Sequence, residues 1–233
     1  MSNPQRARRS AALALALVVA CLGPQALAKD DKKKDTAAKD DKEPKWDVDN
    51  PPGEWRPIRI DTEETTWSNV DVSPDGRTIV FDMLGDIYSV PIAGGDARDL
   101  TEGIDWSYQP RFDPAGRRIA FVSDRGGGDN LWVMNADGTQ PRAVTEEKEH
   151  LVHNPYWSPD GDYLVAKKGF TSTRSIPAGE IWLFHVGGGG GLQLTERPNG
   201  PRDQKNMAEP AFSTDGRYVY YSQDTTPGLV WQY

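Results

Sequence analysis

Few residues in this chain have the type and spacing that chemistry requires. There are three histidines. His150 and His153 form a His-x-x-His pair ahead of a turn, and His185 ends an aromatic run. A protein-bound zinc needs three or four converging ligands, and the zinc peptidases place two histidines one helical turn apart. His150-Leu151-Val152-His153 lacks that spacing, and no His-x-His pair accompanies it, so these histidines are expected to be polar rim residues. No Gly-x-Ser-x-Gly elbow presents a serine nucleophile. Gly126 to Gly128 and Gly187 to Gly191 lack the Lys-Ser/Thr of a phosphate loop and are expected to be hairpin turns. Asp75, Asp160 and Asp215 look like acid–base candidates, but they recur at one place in a repeat. A catalytic group has no need to recur, so they are expected to build turns. No catalytic, cofactor-binding or metal-ligating residue is assigned to this chain.

Eight tryptophans offer a different chemistry, that of flat apolar platforms. Trp132, Trp157, Trp182 and Trp231 stand at repeat positions and are expected in the core between repeats. Trp67 and Trp106 precede the first strand of a unit, where loops face a central channel, and they are the residues expected to touch a ligand.

The elements that position these residues follow from four related turns. They are Ser73-Pro74-Asp75-Gly76, Asp113-Pro114-Ala115-Gly116, Ser158-Pro159-Asp160-Gly161 and Ser213-Thr214-Asp215-Gly216, with glycines 40, 45 and 55 residues apart. Proline presets φ at the second position, the Ser or Asp at the first accepts a local hydrogen bond, and glycine ends the turn. A β-rich run follows each turn: Thr78 to Phe81, Ile119 to Val122, Tyr163 to Ala166 and Tyr218 to Tyr221. A second run pairs an aliphatic residue with Tyr or Trp: Asp86 to Val90, Asn130 to Met134, Glu180 to Phe184 and Leu229 to Tyr233. Short final strands are expected at Arg98 to Thr101, Arg142 to Thr145 and Leu192 to Thr195. Together with the strand before each turn, this makes four strands per unit. The expected fold is all-β, a β-propeller of four-stranded antiparallel blades, with about four blades present and the last one incomplete.

The ends of the chain read differently. Arg6, Arg8 and Arg9 precede an apolar run from Ala11 to Cys21 that is too short to span a bilayer. Gly23-Pro24 and Ala26-Leu27-Ala28 follow, the pattern of a signal peptide over 1–28 cleaved after Ala28. Val18-Val19-Ala20-Cys21 is a weaker lipoprotein alternative. Cys21 is the only cysteine, so the mature chain would hold no disulfide. Residues 29–54 are rich in Lys and Asp, with no apolar face, and are expected to form a disordered linker ahead of a propeller over 55–233. The net charge is -8, and loss of the three leader arginines makes it more acidic. That balance excludes nucleic acid and anionic lipid as partners, and no stable membrane span is expected. Because Tyr233 falls where a closing strand should still follow, the chain is expected to be part of a larger propeller, with Tyr218, Tyr220, Tyr221 and Trp231 exposed.

The units resemble the periplasmic TolB-like propeller repeat, also called the WD40-like or PD40 repeat. The likeness rests on Tyr156-Trp157-Ser158-Pro159-Asp160-Gly161, on Ile119 to Asp124 and on Asn130 to Gly138, and it covers Trp55 to Tyr233. A finer likeness lies in Asp71 to Gly76, Leu84 to Tyr88, Pro91 to Gly95, Gly179 to Leu183 and Tyr221 to Gly228. These look like the propeller that precedes the barrel of exported metal-dependent amidohydrolases. The resemblance implies an exported, periplasmic or secreted, non-catalytic front piece. Its partner would be a protein or its own C-terminal catalytic domain, and a divalent metal would belong only to that domain. The alternatives are a stand-alone TolB-like interaction scaffold and the propeller of a prolyl oligopeptidase-type serine peptidase.

Overall fold

Residues 53–54, 56, 59–169, 178–196 and 206–225 of the protein are described by a computed structural model. The expected signal peptide, nearly all of the charged linker, Pro57 and Ile58, residues 170–177 and 197–205, and the run from Leu229 to Tyr233 lie outside these residues.

Fourteen strands account for the described fold. The first blade holds β1 (Val70–Val72), β2 (Thr78–Met83), β3 (Asp86–Pro91) and β4 (Arg98–Asp99). The second holds β5 (Ser107–Phe112), β6 (Arg118–Ser123), β7 (Asn130–Asn135) and β8 (Arg142–Ala143). The third holds β9 (Val152–Trp157), β10 (Tyr163–Gly169), β11 (Gly179–His185) and β12 (Leu192–Gln193). The fourth shows β13 (Met207–Phe212) and β14 (Val219–Gln223). Within each sheet, strands adjacent in sequence pair antiparallel. Consecutive blades pack against one another through the first strand of the later blade, and the described sheets do not close into a ring. Among the described residues no helix is long and apolar enough to cross a membrane.

Apolar side chains between blades form the core. Val80 and Ile87 of the first blade meet Phe112, Ile119, Phe121 and Met134 of the second. Val122, Leu131 and Val133 meet Val152, Trp157, Leu164 and Phe184 of the third. Val165 and Ile181 meet Met207. Each fully buried side chain of this size stabilises the fold by roughly 1.5–3 kcal/mol.

The turns do what their residues imply. Ser73 Oγ donates to Asp75 Oδ1 at 2.6 Å and accepts from the Thr78 N–H at 2.9 Å, and Ser158 and Ser213 repeat both bonds. The serine hydroxyl and a following backbone N–H hold the Asp75, Asp160 and Asp215 carboxyls below the usual range. In the second copy Asp113, 1% exposed, takes the serine's place, accepting from the Arg117 and Arg118 N–H groups and pairing with Arg118 Nε at 2.8 Å. The turns also stack. A Cβ at Gly116 would press on Pro74 at 3.3 Å, and one at Gly216 would touch Pro159 at 3.6 Å, so the proline of one turn lies against the glycine of the next.

The closing strands differ from expectation. Each is two residues long, because the next threonine leaves the ladder to cap the neighbouring strand with its side chain. Thr101, Thr145 and Thr195 Oγ1 accept from the N–H of Ile87, Leu131 and Ile181, and donate to Asp86, Asn130 and Glu180. The tryptophan expectation holds fully only for Trp157, which is buried. Trp132 and Trp182 are half-buried at blade flanks, under Arg125 and Lys168 respectively, because their strand lies outside the buried central strand of the blade.

Candidate functional site

The antiparallel order sends the Ser-Pro-Asp-Gly turns to one end of the propeller. The other end carries the β2–β3 and β6–β7 hairpins and the connections between blades. Trp67, Leu84 and Trp106 stand at this loop end. With Asn69, Asp82 and Tyr108 they line a cleft of about 340 Å³. Trp67 is fully exposed, Leu84 largely so and Trp106 about half.

Local backbone preference opposes this display. Trp67 has φ 59° and Leu84 φ 55°, a left-handed conformation that costs an L-residue about 1–2 kcal/mol. Leu84-Gly85 forms a two-residue hairpin with both residues at positive φ. Asn or Asp normally takes the first place there, since its short polar side chain tolerates that region. The Trp106 ring lies on this turn. A Cβ on Gly85 would come within 2.9 Å of Trp106 Cε3, so only glycine lets the ring settle. The Trp106 N–H is held by Asp124 Oδ1 at 2.7 Å. Three apolar side chains are thus presented to solvent on a strained but well-braced frame, the pattern found at binding sites.

Below the cleft a polar network ties the first three blades together. Asp82 accepts from Asn69 N and Nδ2, both at 2.8 Å, and from Gln109 N of the second blade at 2.7 Å. Gln109 Oε1 in turn accepts from Asn154 N of the third blade at 2.7 Å. Gln109, Asn154 and Glu209 share one place in the inner strand. Each is left-handed (φ 55°, 54° and 53°), precedes a proline and lies within a bulge of the pairing. Tyr108 Oη donates to Asp129 Oδ2 at 3.1 Å and lies 2.9 Å from His153 Nδ1, joining the second and third blades.

The rim is acidic. Glu102, Asp124, Glu146, Glu147 and Glu149 belong to its loops, with Lys148 and Arg125 as cations. Arg125 is engaged by buried Asp105 at 2.7 Å. Burial, then the nearby charges of Asp99 and Asp105, push the Asp86 carboxyl up to about 6.

The structure brings Trp67 and Trp106 into one cleft and adds Leu84. His150 and His153 diverge in environment. His153 binds Tyr108, while His150 Nδ1 is buried without a hydrogen-bond partner. His185 sits at the other end, its Nδ1 accepting from the Gly187 N–H at 3.0 Å. Among the described residues no group of three His, Cys, Asp or Glu is placed to hold a metal. Asp82, Gln109, Asn154 and Glu209 went unnoticed in the sequence. The signal for three of them is a proline four residues before each turn's second position: Pro110, Pro155 and Pro210.

Comparison with known proteins agrees with this architecture. A profile described as the TolB beta propeller domain matches residues 62–229. An uncharacterized peptidase of Bacillus subtilis, YuxL, is 29% identical over 158 residues, covering 57% of this chain and 24% of the relative. An uncharacterized protein of Agrobacterium fabrum, Atu1656, is 31% identical over 160 residues, covering 64% and 53%. The chain therefore spans about half or less of the length of these curated relatives. The solved structure of a putative TolB from Agrobacterium tumefaciens superposes with a TM-score of 0.52 at 21% identity, over 66% of this chain and 52% of that one, which is a likeness of fold. The four-stranded blades, the repeated turns and the profile match agree, and the chain belongs to the TolB β-propeller domain family.

Proposed function

We propose that this chain is a recognition module, a propeller that grips a protein segment at its loop end. An apolar side chain of the partner sits among Trp67, Leu84 and Trp106, and a neighbouring Lys or Arg faces the acidic rim. The observation that carries this reading is the exposure of two bulky side chains on left-handed backbone in one cleft. Propensity would place Gly, Asn or Asp at both positions, so the display is maintained against a local cost. In the finer form of the proposal, residues 1–28 are an export signal, 29–54 a linker, and 55–233 the propeller of an exported metal-dependent amidohydrolase. The blade motifs around Leu84-Gly85-Asp86-Ile87-Tyr88 support that form. In it, the gripped segment belongs to the catalytic domain or to its substrate.

The test is titration of the chain with short peptides pairing an aromatic with a lysine or glutamate, followed by tryptophan fluorescence. Lysine peptides should bind, and Leu84→Asn with Trp67→Ala should weaken them by about tenfold or more while leaving the melting temperature unchanged or higher. Equal affinity in the double variant, or a preference for glutamate peptides, would refute the proposal.

A further inference from the structure

The internal repeat permits a comparison at one position. Eight residues beyond the turn's second position stand Asp82, Val122, Lys167 and Ser222 in successive blades. Each of the first three lies in the second strand of its sheet. Between the first and second blades, Asp82 supplies the carboxylate that accepts the N–H of left-handed Gln109. Between the second and third, Val122 is apolar, and the Gln109 side chain crosses over to accept the N–H of Asn154. Between the third and fourth, the position is Lys167. It shares its sheet face with Val165 and with cross-strand Ile181, and those two pack against Met207 of the fourth blade. Lys167 is 7% exposed. Its stem runs over Gly179, where an added Cβ would come within 2.9 Å of Lys167 Cε.

Facing it is the inner strand of the fourth blade, in which Glu209 takes the left-handed place of Gln109 and Asn154. Among the described residues, no acceptor engages Lys167 Nζ and no side chain accepts the Glu209 N–H. Glu209's own carboxylate is exposed and makes no ion pair with Lys167. Desolvation alone lowers the lysine pKa to about 8, consistent with a cation that lacks a counter-charge.

By the register of the repeat, two donors therefore stand at an interface between packed strands β10 and β13 where the first copy places a carboxylate. The geometry points to a carboxylate-binding subsite at the loop end of the third and fourth blades, in which a ligand carboxylate accepts from Lys167 Nζ and the Glu209 N–H. Asp82 shows the chemistry, since its carboxylate already fills this role two interfaces away. Charge-assisted bonds to an ammonium and a backbone N–H are the strong kind. The subsite stands independently of the Trp67 cleft. Its ligand is a carboxylate either of a free acid or of a peptide C-terminus.

The experiment uses the whole chain with [13Cε]lysine and 15N labels. It is titrated with sodium acetate, with Ala-Ala-Ala, with Ala-Ala-Ala-amide and with sodium chloride. The Lys167 ε signal and the Glu209 amide should shift together and saturably with acetate or the peptide acid, and stay unmoved by the peptide amide. Peptide acid binding about tenfold tighter than acetate identifies a chain terminus as the source, and equal affinity identifies a free acid. Lys167→Met keeps the apolar stem and should abolish the Glu209 shift. Glu209→Gln, which removes the competing carboxylate of this strand, should preserve or strengthen binding. Equal response to chloride would mean an adventitious ion only. That result, or a Lys167 signal unmoved by either carboxylate in the wild type, overturns the proposal.

Discussion

The turn end and the loop end are built from the same strands yet treat their side chains in opposite ways. At the turn end, charges are engaged and repeated. Arg98 reaches the Asp137 carbonyl, Arg118 that of Gly161 and Arg142 that of Val186, each bridging to the next blade. Acids and arginines alternate there, and the Ser-Asp pairs recur almost unchanged. At the loop end the closing threonines and the left-handed residues before proline also recur, but the loops beyond them differ from blade to blade, and Trp67, Leu84 and Trp106 face water together in one cleft. The uniform end is a solution to stability, because every blade meets the same packing problem. The irregular end is where selection for a partner has room to act, because those loops carry little of the core.

The comparison can be broken at the turn end most directly. Asp113→Ala removes a buried carboxylate that holds two backbone N–H groups and Arg118. It should cost about 3–5 kcal/mol, read as a fall in urea midpoint with an unchanged slope. A loss under about 1 kcal/mol would mean that the regular network carries little weight.

Lys167 tests the loop end by pH. Folding lowers its pKa from 10.5 to about 8, so between those values the unfolded chain binds more protons. Stability should therefore rise as pH climbs from about 8 to about 10.5. Lys167→Met should gain most of that rise at neutral pH and lose the slope. Parallel curves for wild type and variant would show that the lysine is already neutralised.

Thr145→Val keeps shape and strands the buried Leu131 N–H. About 2 kcal/mol of destabilisation is expected, seen in the melting temperature and in faster exchange of the Leu131 amide. An unprotected amide already present in the wild type would sink this account of the closing threonine.

The smallest effect has the opposite sign. Trp67→Gly relieves a left-handed tryptophan that is fully exposed, and should stabilise the fold by about 1 kcal/mol while weakening peptide binding. Loss of stability would show that the Trp67 ring is structural, and would blur the contrast between the two ends.

Much of the propeller could be read from residue order alone. Pro74, Asp75 and Gly76 dictate a turn by their own φ limits and hydrogen bonds. The apolar runs on either side dictate strands that need neighbours on both faces. These are local constraints, so period, blade boundaries and the structural role of the turn aspartates were legible. What only the tertiary structure decided depends on which strand meets which. Leu84 joins the tryptophans through a hairpin, and His153 finds Tyr108 from another blade, so neither pairing has a sequence spacing to betray it. Lys167 sits inside an apolar run, and a lysine there reads as an interruption. Its meaning emerges only when β10 packs on β13, at the place in the repeat where Asp82 meets Gln109. Short-range stereochemistry is written along the chain, whereas charge balance across a blade interface exists only once the blades are packed.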